Sequence, residues 1–178
     1  MDAVIVNHKT FRKSITETEI QERIQTIANQ ISADLKDKCP LFVAVLNGAF
    51  VFASDLLRQL NFPCEITFVK MASYSGTVST GHVKEIVGLN VDIENRTVVI
   101  IEDIIDSGLT MKEMLQLLEK KHPADIKIAA LLKKPGNMKV DLNIDYCCFE
   151  IPNDFIVGYG LDFDGYGRNL PAIYTISE

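Results

Sequence analysis

Three carboxylates and a run of small residues meet in the stretch TVVIIEDIIDSGLT, residues 97–110. Glu102, Asp103 and Asp106 end an apolar run, and Ser107, Gly108 and Thr110 follow at once. A carboxylate removed from water is costly unless something compensates it. A helix N-terminus beyond such a run offers unpaired backbone N–H groups and partial positive charge, so the 107–110 turn can seat an anion such as phosphate. Gly108 permits a tight turn and close approach of a ligand, and the hydroxyls of Ser107 and Thr110 add donors. The acids need other partners. Ribose hydroxyls and a hard cation such as magnesium both satisfy carboxylates, and a sugar phosphate with a metal-bound leaving group brings both. Taken alone, the same pattern also fits an acidic loop with a Ser/Thr helix cap.

The elements that position these groups follow from periodicity. TETEIQERIQTIANQISADLKD (16–37) reads as an amphipathic helix, with Thr16 and Glu19 as its capping box. LFVAVL (41–46) is an apolar strand that NGAF breaks, and VFASDLLRQL returns to helical spacing. Asn-Gly often marks a hairpin turn, but the helical pattern after it makes VLNGAF a strand-to-helix loop. CEITFVKMAS (64–73), KEIVGLN (84–90), TVVII (97–101), IKIAALLKK (126–134), YCCFEI (146–151) and FIVGYG (155–160) are strand-like, and TMKEMLQLLEKK (110–121) is helical. Strands without alternation, separated by helices, indicate a parallel sheet in an α/β fold. Ligands of such sheets bind beyond the C-terminal strand ends, where the three acids lie. SYSGTVSTGH (73–82) interrupts the pattern as a candidate lid, hinged near Gly76 and Gly81.

Composition narrows the class. The 178 residues suit one domain, 1–178, and a formal net charge of −6 with dispersed Lys and Arg argues against nucleic-acid or anionic-membrane binding. MDAVIVNHKTFRKS has no signal-peptide pattern, and no window reaches the roughly 18–20 apolar residues of a membrane helix, so a cytoplasmic location is expected. Cys39, Cys64, Cys147 and Cys148 include no CxxC spacing and are expected to be buried, reduced thiols. His8, His82 and His122 form no ligand pair.

The string 97–110 resembles the phosphoribosyl-pyrophosphate motif of the type I phosphoribosyltransferases: an apolar run, two acids, then D-[ST]-G-x-T. Within them it is most similar to the hypoxanthine-guanine phosphoribosyltransferases, and the similarity runs from LFVAVLNGAF through VGYGLDFDGYGRNLP. That resemblance implies a mainly parallel twisted sheet flanked by helices, a small hood formed by the terminal segments, and a mobile lid loop. It also implies transfer of the 5-phosphoribosyl group from phosphoribosyl pyrophosphate to a 6-oxopurine base, in purine salvage.

The resemblance assigns roles residue by residue. Glu102 and Asp103 address the ribose hydroxyls, directly or through Mg2+, and Asp106 is the general base facing N7 of the purine. Ser107, Gly108, Leu109 and Thr110 cradle the 5′-phosphate, and Ile105 is a further substrate contact. Leu46, Asn47 and Gly48 form the pyrophosphate loop, entered by a cis peptide at Leu46–Asn47. Asn47 stands where relatives often carry Lys or Arg, so binding there rests on main-chain amides. Ser73 and Tyr74 begin the mobile loop. Lys134 donates to the 6-oxo group, although surface lysines such as Lys133 are usually solvated. Phe155, by itself a core aromatic, stacks on the purine, and the Ile156 backbone meets its Watson–Crick edge. Asp162 ligates a second Mg2+, and Arg168 faces pyrophosphate. A homo-oligomer, dimer or tetramer, is implied, with no nucleic-acid or membrane partner. A nucleotide-sensing regulator with a basic groove, or a transferase with another acceptor, are the alternatives; the acid at 106 favours an enzyme.

Overall fold

The computed structural model describes residues 2–75 and 82–177, with the side chains of 72–75 and 82–85 outside the description. The chain opens with a hairpin, β1 (Ala3–Val6) and β2 (Lys9–Ile15), followed by helix α1 (Glu17–Leu35) and strand β3 (Leu41–Val45). Helix α2 (Phe50–Gln59) precedes β4 (Glu65–Ser75), β5 (His82–Val87) and β6 (Thr97–Ile105). Then come α3 (Leu109–Glu119), β7 (Asp125–Lys133) and a 3-10 turn (Pro135–Asn137), followed by β8 (Tyr146–Glu150), β9 (Ile156–Val157) and β10 (Ile173–Ile176).

Among the described residues, one sheet has the order β5-β4-β3-β6-β7-β8. Its neighbours run parallel except β5, which returns antiparallel along β4. Successive strand residues point to opposite faces. Phe42, Ala44, Val99 and Ile101 therefore pack under α1 and α2, against Ile24, Ile31 and Phe52. Leu41, Val43, Val98 and Ile100 pack under α3, against Met111, Met114 and Leu118. Burial on both faces explains why these strands lack alternation. From β3 the chain extends the sheet first through β4 and later, on the other side, through β6. That reversal opens a crevice at the C-terminal ends of β3 and β6, the usual ligand position in such sheets.

The second sheet, β1-β2-β10-β9, is antiparallel and joins the two ends of the chain as a hood over its own small core of Val6, Phe11, Val157, Ala172 and Tyr174. The expected strand at 155–160 shrinks to the two residues of β9, and it belongs to this hood. Gly158, Tyr159 and Gly160 have φ of 101°, 50° and 101°, outside the β region. By contrast, β6 runs four residues past its expected end, through both acids to Ile105, because β7 continues to pair with it at Glu102, Ile104 and Ile105. Both described ends of the 73–82 stretch are strand: Ser73, Tyr74 and Ser75 pair with Lys84, Val83 and His82. The rest of the candidate lid, including Gly76 and Gly81, lies outside the described residues.

The cysteine expectation needs correcting at Cys39, which is exposed; Cys64 and Cys147 are half-buried, Cys148 is buried, and all are free. Cys39 follows α1 at the surface, where no core face is available to it. Desolvation, and after it Cys147, pushes the Cys148 thiol up to about 12. Among the described residues no helix is long and apolar enough to cross a membrane.

Thr16 caps α1 as the sequence indicates. Its Oγ1 accepts from Glu19 N at 3.2 Å, and Glu19 Oε2 accepts from Thr16 N at 2.8 Å. Thr16→Ala is expected to cost about 1 kcal/mol, read as a fall of about 2–4 °C in melting temperature. Hydrogen bonds from the Thr16 side chain, then its backbone, lower the Glu19 pKa. A lowered carboxylate stabilises above its ordinary pKa and stops doing so as pH falls through its folded value. The penalty of the substitution should therefore shrink in acid; a penalty that grows there would contradict this capping box.

Candidate active site

Two loops converge at the crevice. The first, 46–49, leaves β3 through a cis peptide at Leu46–Asn47. Leu46 N donates to Val69 O at 2.8 Å, which ties the loop to β4. Gly48 is buried, and a Cβ placed on it would lie 1.4 Å from Asp103 Oδ2. Only a glycine lets this backbone meet the carboxylate.

Asp103 and Glu102 sit side by side on β6. Asp103 Oδ1 accepts from Ile104 N at 2.8 Å, and Glu102 Oε1 accepts from Asp103 N at 3.3 Å. Desolvation first, and the Asp103 carboxylate second, push Glu102 well above the usual carboxylate range. An acid with a raised folded pKa stabilises below its unfolded pKa, and that contribution is lost as pH rises through the folded value. Glu102→Gln removes this burden. We expect its melting temperature to exceed that of the parent in mildly alkaline buffer and to match it in acid; a pH-independent difference would contradict the strain assigned to Glu102.

Among the described residues no three His, Cys, Asp or Glu side chains cluster as a metal cage. Magnesium is commonly held by one or two carboxylates together with substrate phosphates. The hard oxygens of Glu102 and Asp103 fit that donor set. Asp162 lies on a different segment, where Oδ1 pairs with Arg168 Nη2 at 2.7 Å and Oδ2 accepts from Gly165 N at 2.7 Å.

The second loop joins β6 to α3. Gly108 is the N-cap of α3 at φ 78°, and no side chain caps the helix. A Cβ there would sit 2.8 Å from Val140 and 2.9 Å from Leu142. Ser107 Oγ accepts from Leu109 N at 3.4 Å, and Ser107 O accepts from Lys139 N at 2.9 Å. Glu102, Ile105, Asp106, Ser107, Gly108 and Thr110 line a cavity of about 110 Å³ above this turn. A larger depression of about 680 Å³, near His122, Asp125 and Asp145, lies at the opposite, N-terminal ends of the strands. The smaller cavity is at the end where parallel sheets bind ligands.

Asp106 is held on both oxygens. Lys134 Nζ lies 3.2 Å from Oδ2, and Asn137 Nδ2 donates to Oδ1. Lys134 is buried, and its N–H donates to Ile105 O at 3.0 Å. The turn after it closes through Asn137 N to Lys134 O at 3.1 Å. Asn137 is absent from the sequence-based set of site residues. The signal that could have found it is PGN directly after a lysine at a strand end, a turn that swings the next polar side chain back toward the strand.

Phe155 is 45% exposed, so it is not a core aromatic. Its ring meets Phe163 edge-on at 5.5 Å, and Phe11 stands 6.3 Å from both. Ile156 is buried and pairs with Thr175 in the hood. Arg168 Nη1 donates to Gly160 O at 2.8 Å, and a Cβ on Gly160 would lie 2.1 Å from Gly48 O. The 158–168 segment is thus pressed onto the 46–49 loop. The side chains of Ser73 and Tyr74 lie outside the described residues.

A phosphoribosyl transferase domain matches residues 13–164. The bifunctional protein TilS/HprT of Listeria innocua is 43% identical over 160 residues, 89% of this chain and 25% of that protein. The chain thus spans about a quarter of that relative. The hypoxanthine-guanine phosphoribosyltransferase of Bacillus subtilis is 39% identical over 170 residues, 95% of this chain and 94% of the relative. The solved hypoxanthine phosphoribosyltransferase of Staphylococcus aureus is similar at a TM-score of 0.86 and 35% identity, covering 93% of this chain and 91% of that one.

Proposed function

This chain belongs to the phosphoribosyl transferase family, and from that premise we propose that it transfers the 5-phosphoribosyl group of phosphoribosyl pyrophosphate to a 6-oxopurine. Hypoxanthine, and guanine with it, would yield the nucleoside monophosphate and pyrophosphate, a step of purine salvage. One observation carries the choice of acceptor: Asp106 and Lys134 lie side by side, 3.2 Å apart, as an acceptor next to a donor. A 6-oxopurine with a proton on N7 presents the complement, a donor next to the 6-oxo acceptor. Adenine would turn an amino donor toward Lys134, leaving buried donors unpaired.

In the reaction a purine nitrogen bonds to C1 of the ribose as the C1–oxygen bond to pyrophosphate breaks. Positive charge develops on the sugar, and the purine proton passes to the Asp106 carboxylate. Ser107, Gly108, Leu109 and Thr110 would hold the 5′-phosphate by main-chain amides and hydroxyls at the start of α3, beside Ile105. Leu46, Asn47 and Gly48 would meet pyrophosphate through their backbone, with Arg168 as the cation. Phe155 would stack on the base, and the Ile156 backbone would meet its edge. Glu102 and Asp103 would engage the ribose hydroxyls, directly or through Mg2+, and Asp162 would ligate a second Mg2+. Bound there, Mg2+ would neutralise charge on the leaving pyrophosphate. Ser73 and Tyr74 would be further substrate contacts. Residues 1–178 would act as one transferase domain, in the cytoplasm and as a homo-oligomer.

The test is an assay with phosphoribosyl pyrophosphate and Mg2+ against hypoxanthine, guanine, xanthine and adenine in parallel. Nucleotide from hypoxanthine, and far less from adenine, is the expected result. Turnover of adenine alone, or of no base, would overturn the reading.

A further inference from the structure

Tyr159 is a buried, non-glycine residue at φ 50°, between two glycines at 101°. Its Cβ disfavours that conformation, which persists only where the surroundings enforce it. Here the enforcement comes from two helices. The Tyr159 hydroxyl donates to Asp55 Oδ2 on α2, the same oxygen accepts from Gln21 Nε2 on α1 at 2.7 Å, and Gln21 Nε2 lies 3.3 Å from the phenol oxygen. Burial first, and the bond to Asp55 second, push the phenol well above its ordinary range, so the hydroxyl remains a donor.

The backbone around the tyrosine points at one end of the site. Tyr159 N donates to Leu170 O at 2.8 Å and Gly160 N to Arg168 O at 3.0 Å, while Arg168 Nη1 returns to Gly160 O at 2.8 Å. Gly160 in turn lies against the Gly48 carbonyl, where a Cβ would come within 2.1 Å. Phe155, only four residues earlier, has anchors in the hood: its carbonyl accepts from Ile176 N at 2.9 Å, and its ring stands 6.3 Å from Phe11 on β2.

We propose that Tyr159 is a positioning residue for the pyrophosphate end of the site: pinned by Asp55 and Gln21, it presses Gly160 onto Gly48 and so sets Arg168 and Asp162 against the 46–49 loop. This inference rests on the transferase reading above. Because Asp55 lies on the helix that the 46–49 loop leads into, the same hydrogen bonds tie both halves of that end to one point. Removing the hydroxyl loosens the grip on pyrophosphate and leaves the base side, built from Asp106, Lys134 and Phe155, as it was.

The test is Tyr159→Phe, which keeps the ring. KM for phosphoribosyl pyrophosphate should rise about tenfold, the equivalent of one lost hydrogen bond to a charged group. KM for hypoxanthine should stay within about twofold, a change too small to count as a lost bond. Asp55→Asn, which still offers the phenol an acceptor oxygen, should retain most of the parent's affinity. Equal shifts in both KM values, or no shift in either, would overturn the proposal. Should Tyr159→Phe fail to fold by circular dichroism, Asp55→Ala, which removes the acceptor of the phenol, takes its place, with the same split expected and its absence decisive. The unsubstituted protein is assayed alongside: no turnover there defeats the transferase reading itself, whereas turnover with an unsplit KM defeats only the role of Tyr159.

Discussion

Asp106→Asn is expected to lower kcat about 10²- to 10⁴-fold, the usual contribution of a general base. Asp106 sits at the mouth of the β6–α3 turn, 45% exposed at the side chain, and is gripped by Lys134 and Asn137. An amide of the same shape can still accept from one of those donors, so the turn should keep its form. What it cannot do is take up the purine proton. Binding of the nucleotide product, in which no proton is transferred, should change by less than about threefold, whereas loss of a base acting only in the transition state appears in kcat and kcat/KM together. Single-turnover kinetics beside nucleotide titrations distinguish the two. An unchanged kcat would remove Asp106 from the role, and equal losses in turnover and nucleotide binding would make it a structural residue instead.

Lys134→Met should lower kcat/KM for hypoxanthine by about 10- to 150-fold, the equivalent of one hydrogen bond from a charged donor. Lys134 is buried, its backbone N–H donates to Ile105 O, and its Nζ reaches Asp106. Methionine keeps much of that volume and removes the ammonium. Two effects follow: the 6-oxo group loses its donor, and Asp106 keeps only the Asn137 contact. Adenine gains nothing from Lys134 and has nothing to lose, so the ratio of hypoxanthine to adenine kcat/KM should fall by a similar factor. If that ratio holds while both rates drop, Lys134 supports the site without reading the base.

Much of the architecture is written locally in the chain. The capping box at Thr16, the helical spacing of Ile20, Ile24, Ile27 and Ile31, and the unbroken apolar runs of β3 and β6 each follow from short-range periodicity. So does the strand–turn–helix order around residues 97–110, which brings the acids to a strand end and the small residues to a helix start. The hood follows from the family resemblance and not from local periodicity. Its strands are short, and β1 and β2 bury few side chains, so neither carries a strong pattern; β1 is held by β2, and β2 in turn by β10, about 160 residues away in sequence.

The site divides the same way. Residue types and spacing by themselves determined that Glu102, Asp103 and Asp106 lead into a glycine turn at a helix start, because neighbours along one strand and one turn cannot be far apart. Only the tertiary structure decided that Gly48 meets Asp103, that Gly160 meets Gly48, that Asn137 returns to Asp106, and that Tyr159 is held by Asp55 and Gln21. These contacts join segments that no local periodicity relates. They form where the parallel sheet reverses its strand order, which carries the ends of β3 and β6 into one crevice and folds the 158–168 segment across it.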